Sequence, residues 1–176
     1  MEKLKNKSKG ETLIFLKKKF KFLNIPKSLI FNASSFSVNK KNFLNLISKN
    51  FSTSIAIRSS NKNEDTLNYS NAGKFESVLN VNSQNDKELS DAILKVINSY
   101  KKYHNKNNQI LVQDMVKNVI LSGVCTSCDL ETYFPSYQIN YFKGKDTSAV
   151  TAGKPNTQKI TYIDNNNYKI KNKNFS

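Results

Sequence analysis

Apolar and polar positions along the chain follow two alternating periods. From Asp86 to about Tyr103, Leu89, Ala92, Ile93, Val96, Ile97 and Tyr100 recur at the three-and-four spacing of one buried helical face. Asn85 followed by Glu88 is a capping signal for that helix. A weaker stripe, Leu13, Leu16, Phe20 and Leu23, predicts a helix from Glu11 to about Leu23. Ser8 and Glu11 would form its capping box, and Asn24-Ile25-Pro26 would end it. A further helix is predicted over Phe36 to Lys49, capped from Asn32 to Ser35, with Phe36, Phe43, Leu44 and Ile47 inward. Short apolar runs predict strands at Ser28–Phe31, Ile55–Ile57, Phe75–Val81, Gln109–Val116, Val119–Asp129, Ser136–Phe142, Ala149–Gly153 and Gln158–Ile163. All five glycines fall at turns of this pattern. The mixture implies an α+β fold, with antiparallel or mixed sheets and flanking helices.

Charge adds a second layer. The 176-residue chain carries a formal net charge of +15, and residues 1–50 hold twelve Lys against two Glu. Such a face attracts phosphate-bearing partners. Lys and Asn are abundant throughout while Arg is nearly absent, which is a compositional trait more than a built patch. No nucleic-acid recognition motif is present, so nucleic acid is not the expected partner. No apolar run reaches the length of a membrane span, and lysines interrupt the N-terminus where a signal peptide would be apolar. The expected setting is cytoplasmic, without a membrane.

Against this lysine background Arg58 is the only arginine. A guanidinium grips phosphate with two parallel hydrogen bonds, which an ammonium does poorly. Arg58 closes the apolar strand at Ile55–Ile57 and precedes a loop of Ser, Asn and Gly. His104, the only histidine, lies in a polar linker and reads as a surface residue, and no histidine-based triad or metal site is possible beyond this one ring. Cys125 and Cys128 form a C-x-x-C. Two ligands fall short of a structural zinc site, and the pair lies in a strand pattern, so two reduced, mostly buried cysteines are expected.

Several of these segments carry a resemblance. Arg58-Ser59-Ser60, then Glu64-Asp65, then S-x-AG-x-F-x-S-x-LNV from Ser70 to Val81 resemble the nucleotide-binding domain of the pyruvate, phosphate dikinase and phosphoenolpyruvate synthase family. Asn61 stands where the family has a small residue, and Ser77 where it has Thr. Lys9-Gly10 and Ile25-Pro26 fall where the family has its opening lysine loop and a Val-Pro segment. Gln109–Val116 is similar to the family's V-x-V-Q-x-M-V strand, and Gly123-Val124 with Asp129 continues the pattern. The resemblance covers about residues 8–163, leaving 1–7 as a charged lead-in and 164–176 as a polar tail.

The resemblance implies a partial ATP-grasp-like domain that binds ATP with Mg²⁺. It implies phosphate contacts from Lys9 and Arg58, and from the Ser70, Ala72, Gly73 turn through backbone N–H groups. It implies adenine contacts from Gln113, Met115 and Val116. Nothing after Gly153 resembles the acidic segment that holds Mg²⁺ in the family, and the phosphohistidine and pyruvate domains lie outside the resemblance. The chain is therefore expected to be the ATP-binding portion of such a phosphotransferase, C-terminally truncated and incomplete for catalysis alone, with a second chain as a partner. Two other readings stand beside it. One is a non-catalytic interaction protein or remnant of the same fold, acting through open sheet edges. The other is a basic polyanion-binding module over residues 1–50.

Overall fold

A computed structural model describes residues 7–51, 54–61, 65–66, 69–70, 75–100 and 108–162. Contacts divide the chain into two compact units, Met1–Met115 and Val116–Ser176.

The first unit is built on four antiparallel strands, β1 (Ser28–Asn32), β2 (Ser54–Ser60), β5 (Ser77–Asn82) and β6 (Gln109–Asp114), in the order β1-β6-β2-β5. Strand period decides which residues reach each face. Phe31, Ile55, Ile57, Val81, Ile110 and Val112 point to one side, where they meet α2 (Ala33–Asn50) and α3 (Asp86–Ser99) in a continuous apolar core. From the helices come Phe36, Leu44 and Ile47, then Leu89, Ala92, Ile93 and Val96, with Tyr100 just past the end of α3. The α3 stripe read from the sequence is thus the buried one. Its N-cap is Asn85, whose side chain accepts from the Glu88 N–H, while the Glu88 carboxylate turns to the Asn82 N–H. Between Ile55 and Ile57 the pairing with β5 shifts by a bulge, with Asn80 at φ 60°.

Opposite the core, α1 (Lys9–Lys19) covers the sheet near β1. The Ser8–Glu11 capping box forms in both directions. The helix ends at Lys19, short of the predicted Leu23, and leaves Phe22 82% exposed. The expected inward face reaching Leu23 is therefore corrected. α1 has almost no apolar asymmetry, and three lysines in its last turn suit the C-terminal dipole better than a buried seam. Gly10 is also not at a turn. It sits in the first turn of α1, where an added Cβ would lie 2.4 Å from Ile30 Cγ2, a stiff β-branched atom.

A two-residue hairpin, β3 (Asp65–Thr66) with β4 (Tyr69–Ser70), follows β2. The second unit is a three-stranded antiparallel sheet of β7 (Leu121–Thr126), β8 (Tyr137–Lys143) and β9 (Gln158–Tyr162). Gly123 lies inside β7, again not at a turn, because a Cβ there would meet the Asn140 carbonyl at 2.6 Å. The strand predicted at Ala149–Gly153 is instead a run of turns. Asp146 Oδ1 accepts from the Ser148 N–H and hydroxyl, and Ala152 N–H then bonds back to Ser148 C=O. That local cap starts a helical turn before a strand can extend. Overall the architecture is α+β with antiparallel sheets, as expected for a partial ATP-grasp-like domain. Among the described residues, no helix is long and apolar enough to cross a membrane.

Candidate functional site

The sheet face away from the core gathers three of the residues singled out above, Arg58, Gln113 and Lys9. Register places Arg58 between Leu111 of β6 and Ser77 of β5, and Ala56 beside Gln113, which in turn faces Ser28. Arg58, Ala56, Ser60 and Gln113 therefore share one side of the sheet. Arg58 is half-buried, and its Nε is sealed from solvent with no hydrogen-bond partner among the described residues. A buried donor left unmade costs about 1–3 kcal/mol, and the described residues supply no acceptor for this one.

The N-terminus of α1 docks onto the same face. Gly10 N–H donates to Ser60 Oγ at 2.9 Å, two residues along the strand from Arg58. The Ser8 hydroxyl donates to Gln109 Oε1 at 2.6 Å, and Gln109 Nε2 donates to Glu11 Oε1 at 3.1 Å. Lys9, half-buried, is the first residue of this helix, where the dipole is positive and anions are favoured. The structure thus brings Lys9 and Arg58 to one face of one sheet. Glu11 is the carboxylate at this end of the helix, and from residue 12 to residue 63 the sequence has no Asp or Glu.

The remaining predicted residues are placed less completely. Gln113 is inside the ladder, its main chain flanked by Ala56 and Ser28, so its side chain is what it offers. Met115, half-buried just past β6, gives its N–H to Ser54 C=O at 3.2 Å. Val116 begins the second unit and is 61% exposed. Ser70 ends the hairpin strand β4. Ala72 and Gly73 lie outside the described residues, as does His104.

Two features were not visible beforehand. Asn61 is buried and donates from Nδ2 to Asn108 Oδ1 at 2.6 Å, which accounts for an amide where the family has a small residue. Tyr100 counted only as a packing position, yet its hydroxyl accepts from Ser60 N–H at 2.8 Å and donates to Gln109 C=O at 2.6 Å. A tyrosine in an otherwise aliphatic helical stripe was the available signal, because a buried hydroxyl has to find partners.

In the second unit, Cys125 is exposed and Cys128 half-exposed, both as free thiols, which corrects the expectation of burial. Cys125 projects from a small sheet whose faces are poorly covered, beside Ile139 in the register. Asp129 is occupied locally. Its Oδ1 accepts from the Glu131 and Thr132 N–H groups and the Thr132 hydroxyl, and Oδ2 lies 3.7 Å from Lys159. The backbone bonds from Thr132 and Glu131, more than Lys159, hold its carboxyl below the usual range. Among the described residues no three His, Cys, Asp or Glu side chains converge as a cation site, so those residues do not fit a bound Mg²⁺.

A family model described as pyruvate phosphate dikinase, AMP/ATP-binding domain, matches residues 38–176. That span takes in Arg58, Gln113, Met115 and Val116, whereas Lys9 lies before it. No curated protein matches the chain.

Proposed function

The chain belongs to the pyruvate phosphate dikinase AMP/ATP-binding domain family, and from that premise we propose that its first unit holds ATP against the sheet face that carries Arg58. The observation that supports this most is the buried Nε of the chain's only arginine, which has no hydrogen-bond partner among the described residues. Arg58 and Lys9 take the phosphates. The turn of Ser70, Ala72 and Gly73 adds backbone N–H groups, its glycine permitting close approach. Gln113 and Met115 hold the base, Met115 as a polarizable contact.

The reading stops at nucleotide binding. Phosphoryl transfer in such proteins depends on metal neutralisation of charge, and the described residues assemble no donor set for it. A second reading, association with a further chain, draws on the second unit, whose sheet leaves Leu121, Tyr137, Ile139 and Tyr162 exposed.

Calorimetric titration of the full chain with ATP tests the first reading. Arg58→Ala should weaken binding by about 1.5–3 kcal/mol, the worth of a charge-assisted hydrogen bond. Equal affinity in wild type and variant would remove the main support.

A further inference from the structure

The proposed phosphate grip uses two cations carried by different elements, Lys9 on α1 and Arg58 on β2. These elements are tied together at a single rung of the sheet. Ser60 of β2 and Gln109 of β6 are register partners. Their side chains hold the first turn of α1: Ser60 Oγ accepts from Gly10 N–H, Gln109 Oε1 accepts from the Ser8 hydroxyl, and Gln109 Nε2 donates to Glu11. Their main chains are bridged by one hydroxyl, that of Tyr100, which accepts from Ser60 N–H and donates to Gln109 C=O.

We propose that Tyr100, acting through Ser60 and Gln109, is the positioning residue that sets Lys9 in register with Arg58 and so gives the site its preference for the polyphosphate end of a nucleotide. This rests on the nucleotide reading above. Tyr100 is only 3% exposed, and its ring packs in the apolar core against Phe75 at 5.3 Å. Core packing explains the ring but leaves the hydroxyl unexplained, since phenylalanine would fill the same space. The apolar residues of α1 are not gathered into one seam, so apolar contact gives the helix little positional definition. Buried polar bonds fix it instead, and these are directional, so they set position where apolar contact would permit sliding. Gly10 allows the approach by omitting the Cβ that would strike Ile30. A phosphate chain held by two cations tolerates little displacement of either one.

The test compares ATP with AMP on the full chain, in wild type, Tyr100→Phe and Ser60→Ala, with unfolding followed by circular dichroism. ATP affinity should fall about five- to tenfold in Tyr100→Phe, while AMP affinity changes less than twofold. Ser60→Ala should move the same way, and it supplies the answer if Tyr100→Phe does not fold. A folded variant that loses ATP and AMP equally, or neither, overturns the positioning role. In that event the nucleotide reading still stands if Arg58→Ala weakens ATP binding. Wild type that binds no ATP overturns both.

Discussion

The two units are held together by different means. In the first, Ile47, Ile55, Ile57, Leu89, Ile93, Val96, Ile110 and Val112 are completely removed from water. They come from two strands, β2 and β6, and from α2 and α3, which converge on one side of a sheet. In the second, Ala149 is the one apolar side chain buried among the described residues, and Tyr133 is 78% exposed. Its order comes from strand pairing and from two carboxylate-centred turns, at Asp129 and Asp146. A sheet without a covering layer keeps its backbone bonds but gains little from burial, which is the dominant favourable term in folding. The contrast teaches where to look for each property. Rigid placement of side chains belongs to the first unit, and exposed apolar surface belongs to the second.

The widest separation should come from matched core truncations. Ile93→Ala should destabilise the full chain by about 2–5 kcal/mol, through lost burial and a residual cavity. Ile139→Ala, on the open sheet, should cost well under about 1 kcal/mol. Urea unfolding monitored by circular dichroism measures both, and similar losses would erase the distinction. Ser8→Ala comes next. It removes the cap of α1 and one bond to Gln109, and should cost about 0.5–2 kcal/mol in the same assay. The smallest effect is acid sensitivity confined to the second unit. Backbone bonds depress the Asp129 carboxyl, and Lys154 with Ser148 depresses Asp146. Because the folded values lie below the unfolded ones, the stabilisation is complete above the ordinary Asp range. It is lost as pH falls through the folded values. Amide shifts of Glu131, Thr132 and Ser148 should therefore move in acid while those of the α3 core stay fixed.

How much was legible beforehand follows the same division. The α3 stripe, the Ser8–Glu11 box and the strand that carries Arg58, which runs on to Ser60, were readable because each is local and agrees with its tertiary role. The α+β class followed from them. The sequence also pointed to Lys9, Arg58 and Gln113, which the structure brings to one sheet face. What could not be read depends on other parts of the chain. Leu23 fits a helical stripe, but the helix stops at Lys19 and leaves Leu23 41% exposed. Ala149–Gly153 has strand-forming residues, but Asp146 diverts the backbone into a turn. The strand pattern around Cys125 gave its alternation without showing that neither face would be sealed. The Tyr100 bridge joins positions 100, 60 and 109, and no periodicity could align three residues so far apart.

The long carboxylate-free span between residues 12 and 63 has a kinetic side as well. Its positive field reaches about 8 Å into solvent at physiological ionic strength, so multivalent anions are drawn in before any side chain touches them. The same crowding of like charge works against the folded state when no counter-ion is near. A bound polyanion would relieve that strain, so the first unit should be both found faster and folded more firmly in phosphate than in a chloride solution of equal ionic strength.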